Sequence, residues 1–173
     1  MSDVVATPDL VIVEPELVHG CPVTFSRGEK VIHPLADSYV KVVKALYADG
    51  FTMAVDLTAV DYLTHSGRAL PPGLEPERFE VVVNLLSHAR RERLRIRVQL
   101  PGSEPRIASL YDVHPGTEAM EREAYDLLGV WFEGHPDLTR ILLPDDWEGH
   151  PLRKDEAAGR IPVQFSHTMH SAR

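Results

Sequence analysis

Cysteine is nearly missing from this chain of 173 residues, in which Cys21 stands alone. One thiol excludes an internal disulfide, a multi-cysteine zinc site and a self-contained iron–sulfur cluster, and it suits a reducing compartment. Long apolar runs are absent too: none approaches the roughly 20 residues that cross a bilayer. The first ten residues carry Asp3 and Asp9 without a basic run ahead of an apolar stretch, so they do not read as a secretory leader. Basic charge is short overall. Lys plus Arg number 18 against 26 Asp plus Glu, a net charge of −8, which makes nucleic acid and anionic lipid poor partners for the chain as a whole. The sequence has no Gly-rich phosphate loop, no Gly-x-Ser-x-Gly elbow and no Cys/His nucleophile pair. What is present, 43% hydrophobic and 25% charged residues, can bury one sizeable core. The length fits one domain and a short extension, with any membrane attachment supplied by other chains.

Periodicity places the elements. Pro22 to His33 reads as a β segment turning near Arg27-Gly28. From Asp37, a good N-cap, Val40, Val43, Leu46 and Tyr47 recur at helical spacing until Asp49-Gly50. Phe51, Met53, Val55 and Leu57 then alternate with polar residues, the period of a half-buried strand. Thr64 to Arg78, rich in Gly and Pro, forms an exposed excursion. Phe79, Val81, Val83 and Leu85 alternate on one side, and Leu94, Ile96, Val98 and Leu100 alternate with Arg93, Arg95, Arg97 and Gln99, which predicts an antiparallel hairpin with the arginines outside the core. Ile107 to Tyr111 reads as a further strand. A helix N-capped by Thr117 carries Met120, Ala124, Leu127 and Leu128 on one face and closes at Gly129. The order points to an α+β fold: a two-layer domain with a mixed, mainly antiparallel sheet against helices over residues 1–143, then an extended C-terminal segment over 144–173. Pro144, Pro151 and Pro162 leave that segment little chance of a ladder or long helix, so it is expected to dock on a partner.

Chemistry-bearing residues concentrate in three places. Five arginines between Arg90 and Arg97 face one acid, Glu92, in an otherwise acidic chain. They form either a docking patch for an acidic partner or the solvated face of a strand, without the interleaved aromatics that single-stranded nucleic acid needs. The tetrad Glu-Gly-His-Pro occurs twice, at Glu133 to Pro136 and at Glu148 to Pro151. His135, His150 and the two glutamates could bind zinc or iron or act as acid and base, but a Gly between Glu and His lacks helical ligand spacing, and twin turns are the simpler account. Glu121-Arg122-Glu123 opens the second helix, where acids suit the positive end of the dipole and Arg122 can reach Asp126 at i+4. Next to it stand Val130, Trp131 and Phe132, and Asp145-Asp146-Trp147-Glu148 repeats the charged and aromatic mixture, which is the composition of an interface.

Read as one string, Glu121-Arg122-Glu123-Ala124-Tyr125-Asp126-Leu127-Leu128-Gly129-Val130-Trp131-Phe132-Glu133-Gly134-His135-Pro136-Asp137-Leu138-Thr139-Arg140, continued through Pro144-Asp145-Asp146-Trp147-Glu148-Gly149-His150-Pro151-Leu152-Arg153-Lys154-Asp155, closely resembles the signature of the thirty-kilodalton subunit family of respiratory complex I, the NADH:quinone oxidoreductase. Asp56-Leu57-Thr58-Ala59-Val60-Asp61-Tyr62 and the hairpin also look like that family, so the resemblance covers about residues 35 to 165. After Asp155 the family usually continues with Tyr-Pro, where this chain has Glu156-Ala157.

The resemblance implies a non-catalytic structural or assembly subunit of the peripheral arm. It implies no flavin, cluster, quinone or metal held by this chain, those cofactors lying in partner subunits. The implied partners are the large quinone-site subunit and the iron–sulfur subunits, with the complex on the cytoplasmic side of the cell membrane and this chain reaching the membrane only through them. Related subunits of membrane-bound hydrogenases and of dehydrogenases fed by other donors form an alternative, and a free-standing metal enzyme or a basic-patch binding module would be of a different class. The residues expected at the partner interface are Glu121, Arg122, Glu123, Asp126, Trp131, Phe132, His135, Asp137, Arg140, Asp145, Asp146, Trp147, His150, Arg153, Lys154 and Phe165.

Overall fold

The computed structural model describes residues 16–65, 67–68 and 70–156. Eight strands and two α-helices follow in the order β1 (Leu17–Val18), β2 (Cys21–Ser26), β3 (Glu29–Ile32), α1 (Tyr39–Ala48), β4 (Met53–Asp61), β5 (Phe79–Ser87), β6 (Glu92–Leu100), β7 (Arg106–Ala108), α2 (Glu118–Leu128) and β8 (Trp131–Glu133). Six of them form one sheet in the order β1-β2-β3-β6-β5-β4. Its pairings are antiparallel except β3 with β6, which is parallel. The fold is therefore α+β, with a mixed, mainly antiparallel sheet as one layer and the helices as the other.

The expected hairpin is the centre of this sheet. β5 and β6 pair from Phe79↔Leu100 to Ser87↔Glu92, and Phe79, Val81, Val83, Leu85, Leu94, Ile96, Val98 and Leu100 are all buried. They form one core with Tyr39, Val42, Val43 and Leu46 of α1 and with Ala124 and Leu128 of α2, so both helices cover the same face. The β2–β3 turn falls at Arg27-Gly28, both with positive φ.

Three local expectations fail for physical reasons. In α1 the buried stripe runs through Tyr39, Val42, Val43 and Leu46, leaving Tyr47 43% exposed; the apolar residues Val40 and Tyr47 flank the stripe instead of defining it. Asp37 is not the cap, because a 3-10 turn at Ala36–Ser38 precedes the helix and Ser38 occupies the cap position. In β4 a bulge between Ala54 and Asp56 inserts Val55 opposite no partner. One extra residue reverses the alternation, so Met53 and Val55 face outward while Leu57 and Ala59 enter the core. The strand near Ile107 is only three residues long and lies outside the main sheet, paired in parallel with β8. That pair ties the entry of α2 to its exit.

Candidate partner-docking surface

The signature residues meet around α2, whose two inward-facing acids do opposite jobs at its two ends. Glu121 is fully buried and accepts from the Ser109 hydroxyl at 2.5 Å, the Leu110 N–H at 2.7 Å and the Thr117 hydroxyl at 3.1 Å. Burial pushes its carboxyl above the usual range against the pull of these donors. It fastens the connection after β7 to the first turn of the helix.

Asp126 organises everything after β8. One oxygen accepts Arg140 Nη1 at 2.7 Å, and the other accepts the backbone N–H groups of Ile141, Leu142 and Leu143 at 3.0, 2.8 and 2.9 Å. Burial alone would raise this carboxyl; the Leu143 N–H, the Arg140 guanidinium and the N–H groups of Leu142 and Ile141 outweigh it and hold the pKa at about 2. The i+4 pair with Arg122 does not form. Asp126 turns inward to Arg140, and Arg122 instead lies 3.5 Å from Glu118 and donates to the Thr139 and Arg140 carbonyls.

The end of α2 is closed by the segment that follows it. A helix leaves its last carbonyls without internal partners, and here the Asp126 carbonyl accepts from His150 Nδ1, the Leu127 carbonyl from the Leu152 N–H and the Leu128 carbonyl from Arg153 Nε, at 2.9, 3.0 and 2.7 Å. Arg153 and Arg140 also place positive charge at the negative end of the helix dipole. Gly129 is required twice over: its φ is +72°, and a Cβ there would overlap His150 and Arg153. Arg140 carries the chain onward by donating to the Trp147 and Gly149 carbonyls at 2.9 and 3.1 Å.

Another buried carboxylate, Asp61 at the end of β4, holds the far end of the segment. It binds Arg78 through both oxygens, at 3.0 and 2.8 Å, and accepts the Lys154 N–H at 2.9 Å, while Arg78 also reaches Asp155 at 2.7 Å. Desolvation opposes ionisation, and the Arg78, Lys154 and Leu63 donors overcome it to set the pKa at about 2. Residues 144–156 thus contain no helix or strand yet are bonded back to α2, β4 and Arg78. No signal in the local sequence reveals Asp61, whose partner at Lys154 is 93 positions away.

The two Glu-Gly-His-Pro tetrads are turns with Gly134 and Gly149 at positive φ. Each histidine then bonds a carbonyl of α2: His135 Nε2 donates to Glu118 at 3.0 Å, its Nδ1 accepting from the Asp137 N–H, and His150 Nδ1 donates to Asp126. Among the described residues no group of three or more His, Cys, Asp or Glu is placed to hold a metal ion.

Of the residues expected at an interface, Glu121, Asp126 and Phe132 are inside this chain's own fold and present no surface to a partner, because they satisfy backbone donors or fill the core. Arg122, His135, Arg140, Trp147, His150 and Arg153 are half-buried, and all but Trp147 direct polar side-chain groups to this chain's own backbone. Glu123, Trp131, Asp137, Asp145, Asp146 and Lys154 are exposed. Phe165 lies outside the described residues, as do Ile161 and the remainder of the segment after Glu156. The sequence marks Leu152, beside the prolines of the segment, as an apolar anchor but passes over Ile141 and Leu142: these three are 49, 40 and 62% exposed, and Trp131 is 43% exposed. Their side chains point out because their backbone is spent on Asp126 and on the helix terminus.

The arginine stripe divides. Arg97 donates to the fully buried Glu80 at 2.6 Å and Arg95 to Asn84 and Glu29 at 3.0 and 3.1 Å. Arg68, from the excursion between β4 and β5, stacks on Tyr62 and donates to Gln99, which in turn donates to Glu80. The excursion therefore folds back over the polar face of the sheet. The acidic groups that the buried ends of these arginines need are supplied within the chain.

The model of the family described as respiratory-chain NADH dehydrogenase, 30 Kd subunit, matches residues 32–160. The chain belongs to this family. Among curated relatives, it is 40% identical over 147 residues to a subunit of the NADH-quinone oxidoreductase of Saccharopolyspora erythraea, covering 83% of this chain and 55% of that one. It is 41% identical over 143 residues to the like-named subunit from Roseiflexus castenholzii, covering 81% and 76%. The 30-kDa-family chain thus spans little more than half the length of the first of these relatives. Among solved structures, the trypsin-resistant fragment (1–134) of Nqo5 matches with a TM-score of 0.60 at 32% identity, covering 69% of this chain and 91% of the fragment. A chain of the membrane-bound sulfane sulfur reductase, an archaeal respiratory membrane complex, shares the fold with a TM-score of 0.66 at 23% identity, over 80% and 78%.

Proposed function

We propose that this chain is a non-catalytic structural subunit of the peripheral arm of a proton-translocating NADH:quinone oxidoreductase, packed against the quinone-site subunit and the iron–sulfur subunits. Membership of the 30-kDa subunit family over residues 32–160 carries the reading. The side chains supply a physical reason for it. Asp61, Asp126, His135, His150 and Arg153 are each engaged with backbone groups of this chain, so the family signature serves to hold residues 139–155 in one shape. That shape leaves the apolar side chains of Trp131, Ile141, Leu142 and Leu152 exposed, as are the charged Glu123, Asp137, Asp145, Asp146 and Lys154, the mixture of residue types of which docking surfaces are made. Flavin, clusters and quinone reside in the partner subunits. No described helix is long and apolar enough to cross a membrane, and attachment to the cytoplasmic side of the cell membrane runs through those partners.

Deletion of the chain in its native cell, followed by assay of membrane NADH:quinone reductase activity and isolation of the complex through a tagged copy, tests this. The expected result is loss of activity without the chain, restoration by the tagged copy, and co-isolation with flavin- and cluster-bearing proteins, while the chain alone is colourless and inactive. Full activity in the deletion strain, or quinone reduction by the isolated chain, would overturn the proposal.

A further inference from the structure

The three arginines left over from the internal network sit at the rim of a groove that the docking surface around α2 does not use. Arg90 and Arg91 in the β5–β6 turn and Arg93 at the start of β6 are exposed and form no ion pair among the described residues, Arg90 lying over the Phe51 ring at 5.7 Å. They border an open groove of about 600 Å³ whose wall carries Phe25, 63% exposed, together with Val18 and Phe51. The other charged groups of the groove are largely spoken for: Glu29 pairs with Arg95, Lys30 with Glu16 and Asp49 with His19. Glu92 alone remains to oppose three guanidinium groups. In a chain of net charge −8, this is a local positive field beside an exposed aromatic ring.

We propose that this groove is a second protein-docking site, which takes an acidic segment of a partner protein: an apolar side chain seated on Phe25, and carboxylates meeting Arg90, Arg91 and Arg93. A protein segment fits better than a lipid or nucleic-acid surface, because the groove is concave, has one exposed aromatic ring, Phe25, and not a stacking series, and lies on a molecule whose overall charge repels polyanions. Arginine forks recognise carboxylates in pairs of parallel hydrogen bonds. The site rests on the subunit reading only for the expectation that partner proteins exist; its chemistry is independent of which complex they form.

The test places p-benzoylphenylalanine at position 25 of the full chain, produced in its native cell, and maps the photo-adduct by mass spectrometry. The expected result is an adduct to an Asp/Glu-rich stretch of one protein, with a yield that falls several-fold in high salt and about tenfold in the variant Arg90→Glu/Arg91→Glu/Arg93→Glu. These arginines are exposed, so the variant should keep the parent's thermal transition. If it does not, the salt dependence of the unsubstituted arginines decides in its place. An adduct to RNA or lipid, no adduct, or an adduct to a protein with a yield indifferent to salt and to the charge reversal overturns the proposal. NADH:quinone reductase activity measured in the same preparation reports separately on the functional reading.

Discussion

The β5–β6 hairpin and the segment from Gly134 to Glu156 are ordered by opposite means. The hairpin has nine consecutive residue pairs in one ladder and eight apolar side chains in the core, so its order is distributed and each contact is a small share. The segment has neither helix nor strand. Its path is set by a handful of side chains, chiefly Asp126, Arg140, His150, Arg153 and Asp61, each satisfying several backbone groups or fastening a distant one. Distributed order tolerates substitution, whereas concentrated order makes single residues decisive.

Breaking the segment at its centre should give the largest effect. Asp126→Ala leaves Arg140 half-buried without its carboxylate and three N–H groups without an acceptor, a loss on the order of 3–5 kcal/mol. Denaturant unfolding measures it, and limited proteolysis should find Arg140, Arg153 and Lys154 newly cleavable while the hairpin stays protected. Cleavage no faster than in the parent chain would mean that the segment does not depend on Asp126.

The same concentration predicts a pH dependence with a definite sign. Asp61 and Asp126 have folded pKa values of about 2 against an ordinary 3.8. Both values are depressed, so the stability these groups confer is complete above about pH 4 and is lost as pH falls toward 2. Glu121 has the opposite sign: its pKa is raised, so its share is present at low pH and declines as pH rises through the folded value. Thermal melts between about pH 6 and about pH 2, a range set by these values, should fall steeply only in the acid part, and Asp126→Asn should flatten that fall. An unchanged slope in the variant would assign the acid loss to other carboxylates.

In the hairpin a deliberate core lesion should cost less than the loss of one segment carboxylate. Ile96 is fully buried, and Ile96→Val removes one methylene for roughly 0.5–1.5 kcal/mol. The cost should appear as a lower global midpoint with no new protease site. Selective cleavage within the hairpin would contradict a distributed ladder.

This difference also decides what was legible. Alternation of apolar residues with Arg93, Arg95 and Arg97 exposes the hairpin because a strand repeats every two residues, and Gly129 marks the end of α2 because its φ demands glycine. The bulge at Val55 is invisible, since one inserted residue leaves the composition of a strand untouched while reversing its faces. Tyr39 and Tyr47 look alike as apolar helix positions, and only the sheet beneath decides which is covered. The fixing of residues 139–155 could not be read at all beyond its composition. Asp126 offers Arg122 at i+4 as a plausible partner and takes Arg140, because burial favours the partner that brings along three backbone N–H groups. Asp61 meets Lys154 across most of the chain length. Charge density alone therefore groups Glu121 and Asp126, which are interior supports, with surface residues, and passes over Leu142, whose N–H is held by Asp126 while its side chain is exposed.

The smallest expected effect on stability carries the sharpest test of that last point. Leu142 contributes its N–H to Asp126 but its side chain is 62% exposed. Leu142→Ser keeps the backbone bond and removes only outward apolar surface, so the isolated chain should melt within about 0.5 kcal/mol of the parent. If the segment is shaped to present this side chain to another subunit, the same substitution should weaken assembly strongly, because a central apolar anchor carries a large share of binding energy. Co-isolation of tagged Leu142→Ser chain with its partners should fall several-fold, and paired substitution with Trp131→Ser should deepen the loss. A chain substituted at both positions that still assembles as the parent does would show that Asp126 and Asp61 hold this segment for the fold of the subunit itself, and that the docking contacts lie elsewhere.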